Sequence, residues 1–499
     1  MSEDSSFNRN QKKKEEGRFA PDFFGSLGKG SDNVYSTICP GCNFGCGLYI
    51  RENDALEVDF RKSSPANAGK LCRFGMSLPM LYAPVRSMVD GKETSMEDAA
   101  KEAAKRISAG KGSNAFLSFG NTTCEELLAF QKVAGSYLCT GANFEALPKD
   151  TYQTLSMGIP YIDIEAAKHI VLFIDPYEQY PLIIRRLLSA KKKGAKITAV
   201  WWKALPIANE TIRPTDVSKF QLSKDSLVIA DFHPLSDVEQ VKSVLALAKN
   251  AGAKVTFLKP FANSTGAYIL SKDAKQKSLS ALVEDINKGT IKTLFCLESD
   301  PAIIPDETLG KLTNLIVQTG SAISSKANIV IAHEPLYKKK GTLINNEGRA
   351  QALGGAGTAG LDALGFIAGA KFEFNALHDS VKKAIGISAV DEFTIPKYDR
   401  PAYGAIQAAA KPVEAKTALV SVYNPFMWFN LADDNDFVEL NLNTVRALKL
   451  LKGGTLKIKS NGASIETKFK VAPVQDNVLI TAKKFGIEKG MLTPVEIMR

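Results

Sequence analysis

Four of the seven cysteines in this 499-residue chain lie between positions 39 and 72. Cys39, Cys42 and Cys46 follow the spacing C-x2-C-x3-C, and Cys72 comes after a further gap of 25 residues. Three closely spaced thiolates can hold one side of a cubane while a distant fourth closes it, and a 4Fe–4S cluster needs such a set of four cysteines. The spacing therefore predicts that these four residues bind one iron–sulfur cluster.

A structural zinc site is the main alternative, because zinc also binds sets of four cysteines. Zinc ribbons usually pair two C-x2-C knuckles, whereas the triple found here is an iron–sulfur spacing. Gly41, Gly45 and Gly47 add conformational freedom with which backbone amides can turn towards cluster sulfurs. The pattern favours iron–sulfur, with zinc as the alternative and four unrelated core cysteines as the third interpretation.

Composition limits the other functions that the chain could have. Seven cysteines without an apolar export signal argue against a disulfide scaffold, and Cys124, Cys139 and Cys296 are expected to be ordinary core residues. No apolar run reaches the ~18 residues that a membrane span needs. The chain is therefore predicted to be cytoplasmic and to reach a membrane only through a partner.

The net charge of +10 comes partly from three separate lysine runs, at 12–14, 191–193 and 338–340. Such runs are usually solvated faces, and no basic stripe with interleaved aromatic residues joins them. The sequence therefore predicts no nucleic-acid partner, although its positive charge would attract an acidic partner subunit.

Short buried strands alternate with helices through the middle of the chain. Apolar runs at 115–119, 170–174 and 293–297 have the length and closing residues of buried strands. This alternation predicts parallel α/β sheets. Ahead of it, alternating stretches at 48–51 and 56–60 predict small antiparallel strands around the metal site.

The end of the chain follows a different pattern. Residues 455–459 and 465–471 alternate between apolar and polar side chains and flank Asn461-Gly462, the strongest short signal for a β-hairpin. A stretch rich in Ala, Lys and Pro at about 400–415 predicts a linker before this unit. A small β-barrel is therefore expected at about 415–499.

Joined to the rest of the chain, the cysteine segment resembles the molybdopterin oxidoreductase superfamily. That group includes formate dehydrogenase alpha subunits, the B subunit of formylmethanofuran dehydrogenase and the large iron–sulfur subunit of respiratory complex I. The most specific matching passage is GTLINNEGRAQ at 341–351. The other matching passages are 39–46 with 67–75, 297–302, 327–331 and the C-terminal segment from Phe437 onwards. The resemblance covers nearly everything after residue 33.

The resemblance implies an α/β architecture with a small β-rich 4Fe–4S domain, two α/β parallel-sheet domains and a C-terminal β-barrel of the pterin-dinucleotide-binding type. It also implies one 4Fe–4S cluster and, in catalytic members, a molybdopterin guanine dinucleotide that carries molybdenum or tungsten between the α/β domains. The predicted units are a partner-binding tail at 1–32, the 4Fe–4S domain at 33–90, an α/β domain at 91–190 plus 310–400, a second α/β domain at 191–309 and the barrel at 415–499.

In catalytic members a Cys, selenocysteine, Ser or Asp ligates the metal shortly after the second helix of the first α/β unit. The matching region, 140–151, has no cysteine, and Asp150 is the candidate nearest to the expected place. A surface aspartate at a helix start is the ordinary interpretation of Asp150. Arg73 follows the fourth cysteine, where catalytic formate dehydrogenases usually have a Lys. A guanidinium could hydrogen-bond a pterin there but would be a poor proton carrier.

Three pairs of residues are further candidates for cofactor binding. They are Gly120 and Asn121, Asn263 and Thr265, and Glu347 and Arg349. The first pair opens a helix after a buried strand, and the second follows another buried strand, so both lie where open sheets bind phosphates. Ordinary turn chemistry explains these two loops equally well. The third pair belongs to the most specific passage of the resemblance.

Two hypotheses of function follow from these observations. The first is an iron–sulfur electron-transfer subunit of a multisubunit redox complex, with iron–sulfur or flavin subunits as partners and a degenerate metal-pterin site. It fits because the sequence reveals no His/carboxylate pair for acid–base chemistry. The second is a molybdenum- or tungsten-pterin oxidoreductase of the formate dehydrogenase type, acting on formate or a similar one-carbon substrate. A zinc-stabilised binding scaffold is a third, different class.

Overall fold

The computed structural model describes residues 33–135, 137–141, 149–236, 238–271, 276–323, 326–396, 418–422, 424–429, 431, 437–450, 454–460, 463–481 and 493–498. The predicted tail at 1–32 and the predicted linker at about 400–415 lie outside these residues. None of the described helices combines the length and the apolar character needed to cross a bilayer.

The cysteine-bearing segment folds as a small antiparallel sheet with one short helix. Its elements are β1 (Asn33–Ile38), β2 (Gly47–Glu52), β3 (Leu56–Phe60) and α1 (Arg73–Met76). The strands pair in the order β1-β2-β3, which confirms the predicted antiparallel strands. Leu48 and Ile50 are buried and alternate with half-buried residues along β2, so one face of the sheet packs into the core.

A seven-stranded sheet is built from two separate stretches of chain. The first stretch contributes β4 (Met88–Val89), β5 (Lys92–Glu93), α2 (Met96–Ala109), β6 (Asn114–Leu117), α3 (Cys124–Ala134) and β7 (Leu138–Cys139). Helices α2 and α3 begin after Ser95 and Thr123, whose hydroxyls accept hydrogen bonds from backbone N–H groups of the first turn.

Between these stretches the chain forms a five-stranded sheet with its own helices. Its elements are α4 (Lys149–Ser156), α5 (Tyr161–Ala166), β8 (His169–Leu172), α6 (Ile183–Lys192), β9 (Lys196–Val200), β10 (Glu210–Ile212), β11 (Ser226–Asp231), α7 (Val238–Ala251), β12 (Lys254–Leu258) and α8 (Ser264–Leu270). The order is β10-β9-β8-β11-β12, and the strands are parallel. The central strands are almost wholly buried, as expected for a parallel sheet covered on both faces.

The second stretch completes the seven-stranded sheet. It contributes α9 (Leu279–Asn287), β13 (Thr293–Leu297), α10 (Asp306–Leu309), β14 (Asn314–Thr319) and β15 (Ile329–Ala332). The order is β5-β4-β15-β14-β13-β6-β7. Strands β15, β14, β13, β6 and β7 run parallel, while β4 pairs antiparallel with β15. The predicted α/β class with parallel sheets is confirmed.

The two sheets divide the strands differently from the predicted domain limits. The prediction placed β8 in the first α/β domain, but β8 pairs with β11 in the five-stranded sheet. The prediction placed β13 in the second α/β domain, but β13 pairs with β6 in the seven-stranded sheet. An apolar run indicates a buried strand but not the sheet that the strand joins. The domain limits themselves stay a prediction.

A hairpin and two helices follow the seven-stranded sheet. These elements are β16 (Lys340–Ile344), β17 (Ala350–Gly354), α11 (Ala359–Ala368) and α12 (Phe374–Ile385). Strands β16 and β17 pair antiparallel, so the turn between them presents the N-N-E-G-R part of the most specific passage. Helix α11 packs on α2 and α3 and covers one side of the seven-stranded sheet.

The C-terminal unit is a mixed sheet. Its elements are β18 (Ala418–Ser421), α13 (Pro425–Trp428), β19 (Phe437–Leu440), α14 (Leu442–Ala447), β20 (Thr455–Ser460), β21 (Ala463–Val471), β22 (Val478–Thr481), β23 (Thr493–Pro494) and β24 (Glu496–Met498). The order is β23-β18-β22-β19-β21-β20-β24. Strands β20 and β21 form the predicted hairpin, whose turn residues Asn461-Gly462 lie outside the described residues. The described strands form an open sheet, so the expected closed barrel is seen only as a half-barrel.

Candidate iron–sulfur centre

The structure brings the four predicted cysteine ligands together. Cys39, Cys42 and Cys46 lie on the loop between β1 and β2, which closes with a 2.9 Å hydrogen bond from the Cys39 N–H to the Cys46 carbonyl. Cys72 immediately precedes α1. Cys39 and Cys46 are buried, Cys42 and Cys72 are half-buried, and all four are free thiols.

Burial and mutual repulsion oppose the ionisation of these thiols. Burial raises the pKa of Cys39 and of Cys46, and the charges of the other cysteines in the set raise both further. Burial and the charge of Cys72 raise the pKa of Cys42 to about 12. Because cluster ligands are thiolates, the set can be held deprotonated only around a positive centre, which an iron–sulfur core supplies.

Backbone amides point at the sulfur atoms. The N–H groups of Gly41 and Phe44 donate to the thiols of the first two cysteines, and the N–H of Phe74 at the start of α1 donates to the fourth. Hydrogen bonds of this kind tune the potential of an iron–sulfur cluster. A Cβ atom at Gly41 would collide with the ring of Phe74, so this loop position needs glycine for close packing.

The two metal interpretations make different demands on the thiols. A zinc ion needs four donors at about 2.3 Å from a single centre. A cubane instead takes one thiolate at each of four irons. The structure brings the four thiols into one neighbourhood, which the cubane interpretation requires.

Asn43 fastens the cysteine loop to distant parts of the chain. Its side chain is fully buried, and Nδ2 donates to the carbonyls of Ala262 at 2.6 Å and Ile344 at 2.9 Å. Its Oδ1 accepts from the hydroxyl of Thr265, and its backbone N–H donates to the Lys259 carbonyl at 2.9 Å. One residue thus ties the loop to the five-stranded sheet unit and to the β16–β17 hairpin.

The β16–β17 hairpin covers another side of the cysteine loop. Gln351 Nε2 donates to the Gly45 carbonyl at 3.0 Å, and the Asn346 N–H donates to the Asn43 carbonyl at 2.7 Å. The most specific passage of the sequence therefore acts as a clamp on the loop that carries three of the four thiols.

Glu347 and Arg349, predicted to bind a cofactor, are buried and engaged with the protein. Glu347 accepts from the Tyr161 N–H at 2.9 Å and from Arg349 Nε at 2.7 Å. Arg349 Nη1 donates to the Glu392 carbonyl at 2.6 Å. Tyr161 stacks on Phe44 of the cysteine loop, with ring centroids 4.4 Å apart. These contacts support the loop, and cofactor binding by the pair stays a prediction.

Two arginines lie near the thiols. Arg73 is exposed, and its guanidinium lies 4.6 Å from the ring centre of Phe426. Its charge favours the thiolate of Cys72, against the burial that raises the pKa of that thiol. Arg185 on α6 acts in the same direction on Cys46. Pterin binding by Arg73 stays a prediction, and sequence reasoning missed Arg185 because an amphipathic pattern does not show which partner a helix meets.

A cleft of about 510 Å³ opens at the carboxyl edge of the seven-stranded sheet. The loops after β6, β13 and β14 line it, with Asn121, Ser299 and Thr319 among their residues. The chain leaves β6 and β13 in opposite directions along the sheet, and such switch points are the usual ligand sites of open α/β sheets. Asn121 Oδ1 is buried without a hydrogen-bond partner among the described residues. The predicted loop at Gly120-Asn121 thus reaches a largely apolar cleft that holds a few polar side chains.

Asn263 and Thr265, predicted as a second phosphate loop, pack against the first loop. The Asn263 N–H donates to the Gly120 carbonyl at 2.9 Å, and Nδ2 donates to the Thr122 carbonyl at 2.8 Å. Asn263 Oδ1 accepts from the Ile344 N–H at 2.8 Å. The side-chain amide of Asn263 is therefore already hydrogen-bonded to protein groups. The hydroxyl of Thr265 is also engaged, because it donates to Asn43 Oδ1. Cofactor binding by these two residues stays a prediction.

Charged side chains occupy the carboxyl edge of the five-stranded sheet. Lys203 bridges Asp175 at 2.9 Å and Glu439 of β19 at 2.6 Å, which joins this sheet to the C-terminal sheet. Asp231, at the end of β11, accepts from Gln179 Nε2 at 3.0 Å. Burial raises the pKa of Asp231 to about 7.

An aromatic group lies between the two α/β units. Phe261 stacks on Phe119 with ring centroids 5.4 Å apart, and it meets Trp428 and Phe429 at 6.0 and 5.7 Å. Phe74 of α1 lies 5.3 Å from Phe429. The space where the resemblance implies a pterin cleft therefore holds aromatic side chains from four parts of the chain.

Sequence reasoning missed a buried charged group beside the cleft. Lys339 was expected on a solvated face, but its side chain is buried, with Nζ 2.7 Å from both Glu126 Oε2 and Glu298 Oε1. His333 lies 3.5 Å from Glu298, a His/carboxylate pair that the sequence did not reveal. The candidate metal ligand Asp150 lies in α4, and its side chain is outside the described residues, so its role stays a prediction.

Comparison with known proteins agrees with the fold and the thiol set. Residues 32–82 match the family model of the molybdopterin oxidoreductase Fe4S4 domain. The cysteine-bearing end of the chain is therefore a 4Fe–4S domain of the molybdopterin oxidoreductase type, which supports the resemblance to that superfamily.

Among curated proteins, the chain is similar to the F420-dependent formate dehydrogenase subunit alpha of Methanocaldococcus jannaschii, at 30% identity over 189 residues, which are 34% of this chain and 28% of that protein. It is also similar to the F420-dependent formate dehydrogenase 1 subunit alpha of Methanococcus maripaludis, at 27% identity over 197 residues, 35% of this chain and 29% of that protein. The matches span less than a third of the length of these relatives.

Among solved structures, acetylene hydratase from Pelobacter acetylenicus has the same overall fold. The TM-score is 0.57 at 11% sequence identity, and the likeness covers 89% of this chain and 92% of that chain.

Proposed function

We propose that Cys39, Cys42, Cys46 and Cys72 ligate one 4Fe–4S cluster through which this chain passes electrons between subunits of a larger oxidoreductase. The observation that supports this most directly is the set of four neighbouring thiols with backbone N–H groups directed at them. An electron carrier needs a cluster and a docking surface but no substrate acid or base. Iron–sulfur or flavin subunits are the partners that we propose, in keeping with relatives that are named as subunits.

We infer further that the metal-pterin site is degenerate. Asn121, Ser299 and Thr319 would suit the nucleotide end of a pterin dinucleotide, which when bound supplies molybdenum or tungsten for two-electron redox chemistry. The rest of that group fits less well. It would have to pass the aromatic residues around Phe261 and the ion pairs of Lys203. We assign the C-terminal half-barrel to the pterin-dinucleotide-binding type, now serving as a docking unit.

A molybdenum- or tungsten-pterin oxidoreductase of the formate dehydrogenase type is the second candidate. The formate dehydrogenase alpha subunits of two methanogens favour it, at 27% and 30% identity. In that case Asp150 would be the protein ligand of the metal, and Asn121 would bind the nucleotide within the cleft.

Metal analysis of anaerobically purified protein separates the candidates. About four irons per chain without molybdenum or tungsten would support the electron carrier. About one molybdenum or tungsten per chain with extractable pterin would support the second candidate. Zinc without iron would overturn both.

Substitution of one thiol tests the ligand set. We expect Cys42→Ala to lose iron and the broad ~400 nm absorption of an iron–sulfur cluster. The matched control is Cys296→Ala, which removes a buried thiol in β13 and should keep both signals. Unchanged iron in Cys42→Ala would contradict the assignment.

A further inference from the structure

Beside the cleft lies a closed group of ionisable side chains that the proposed electron carrier does not use. We name it the buried ion cluster, and its members are Glu126, Glu298, His333, Glu334 and Lys339. Lys339 lies at its centre, 2.7 Å from two of the carboxylates. The side chains of Lys339, Glu126, Glu298 and His333 have at most 4% exposure. Water therefore screens these charges poorly.

The buried ion cluster has too few positive charges. Its three carboxylates face one ammonium group, so negative charge is in excess whenever His333 is neutral. Unbalanced charge away from water is costly, and one additional proton would reduce that cost. Burial also raises the pKa of Glu334, so the surroundings favour the protonated, neutral form of this carboxyl as well.

The geometry of His333 indicates which atom takes that proton. Its Nδ1 lies 2.9 Å from the Glu334 carbonyl, which can only accept, so Nδ1 carries a hydrogen. In the neutral ring Nε2 is then a bare acceptor, and it lies 3.5 Å from Glu298 Oε1 without a hydrogen-bond partner among the described residues. Two acceptors repel each other at this distance. A proton on Nε2 would turn the repulsion into a charge-assisted contact.

The groups that face His333 come from every element packed around it. Helix α3 contributes Glu126, the loop after β13 contributes Glu298, and the segment before β16 contributes Lys339. Helix α11 approaches His333 at Gly360, where a Cβ would lie 3.6 Å from His333 Cε1. Lys339 is the one cation among these described residues.

Tyr82 links the thiol set to the buried ion cluster, because it packs in the same apolar core as Cys39 and its ring lies 5.0 Å from that of Tyr337, two residues before Lys339. Its side chain is buried, and its hydroxyl has no hydrogen-bond partner among the described residues. Burial raises the pKa of Tyr82 most, and the charges of Cys39 and Glu298 raise it further. Charges interact strongly through such poorly polarisable surroundings. An electron added at the iron–sulfur site would therefore make the buried ion cluster more attractive to a proton.

We propose that the His333–Glu298 pair takes up one proton when the iron–sulfur cluster accepts one electron. The electron comes from the redox partner of the proposed function, on which this inference rests. The proton comes from solvent through the cleft, which Glu298 and Thr319 line. One N–H bond forms at His333 Nε2, and Glu298 becomes its hydrogen-bond acceptor. On reoxidation the electron leaves to the next carrier and the proton returns to solvent, so each transfer leaves the net interior charge unchanged.

Redox titration of the full chain at several pH values tests the proposal. We expect the midpoint potential of the wild-type cluster, followed by electron paramagnetic resonance, to fall as pH rises, because the reduced form binds one more proton than the oxidised form. The His333→Gln variant should have a potential that does not change with pH. The matched control is His378→Gln. His378 also pairs with a buried glutamate of α3, Glu125, at 2.8 Å, but its own side chain is 28% exposed. It should keep the wild-type dependence.

The outcomes distinguish the two levels of inference. A wild-type chain without an iron–sulfur signal would refute the proposed function itself. A cluster whose potential is independent of pH would overturn only the proton coupling, as would a His333→Gln variant with the wild-type dependence. Glu298→Gln is the second variant, measured if His333→Gln fails to fold. It removes the negative charge that favours a protonated imidazole, although the amide oxygen can still accept a hydrogen bond, and it should also abolish the pH dependence.

Discussion

Replacement of Lys339 by Met should strongly destabilise the protein. Methionine keeps much of the length of the side chain but leaves Glu126 and Glu298 buried without their 2.7 Å partner. Removing one partner of a buried ion pair costs about 3–5 kcal/mol. In a domain of this size 1 kcal/mol moves the Tm by about 2–4 °C, so we expect a loss of roughly 6–20 °C.

The loss should depend on pH in a defined direction. Burial acts to raise the pKa of Glu126, but the charges of Lys339 and His333 outweigh it and lower that pKa. A carboxyl with a lowered pKa contributes stability that is present above its unfolded value of about 4.3 and lost as pH falls through its folded value. In the variant burial dominates, so acidification relieves the unpaired carboxylates. The difference in Tm should be largest near pH 7 and shrink towards pH 4.

Differential scanning calorimetry of both proteins at pH 7 and pH 5 measures this difference. Lys338→Met is the matched control, because Lys338 forms a 2.6 Å pair with Glu52 but is 33% exposed. Exposed pairs contribute at most about 1 kcal/mol, so its Tm should change little. Equal losses in the two variants, or a difference that widens on acidification, would refute the reasoning.

Three further predictions concern other parts of the molecule. Gly45 has φ +82°, and a Cβ there would collide with the side chain of Gln351, so Gly45→Ala should lower the iron content per chain. Gly91 has a similar φ of +80° but open space around it, so Gly91→Ala should leave the iron content unchanged. Asn43→Ala should accelerate iron release to a chelator, since it leaves buried partners unsatisfied at about 1–3 kcal/mol each, and an unchanged release rate would contradict the anchoring role. Burial raises the folded pKa of Asp231 from 3.8 to about 7, so the wild type loses stability as pH rises through this range. Asp231→Asn should therefore raise the Tm at pH 8 but not at pH 3.5, and an equal change at both values would refute this.

The sequence predicted those features that local pattern determines. The C-x2-C-x3-C spacing located the thiol set, apolar runs located the buried strands, and strict alternation located the β20–β21 hairpin. Each of these signals is contained in fewer than about twenty residues, and such patterns are what periodicity can register.

The features that the sequence did not reveal depend on contacts between residues far apart in the chain. Lys339 looked like one member of a solvated lysine run, yet its partners Glu126 and Glu298 lie 213 and 41 residues away in the chain. The passage around Glu347 suggested a cofactor contact, whereas the structure shows it against Tyr161 and the cysteine loop. No local pattern encodes which distant residue completes a buried polar group.

The anchoring of Asn43 has a consequence for the biogenesis of the protein. Its side-chain partners Ala262, Thr265 and Ile344 are 219, 222 and 301 residues further along the chain. An N-terminal segment leaves the ribosome first, so all four thiols are exposed long before the framework that shapes them exists. We therefore expect stable metallation to follow the folding of the later units, and a nascent or truncated chain to display its thiols without the anchor that holds their loop.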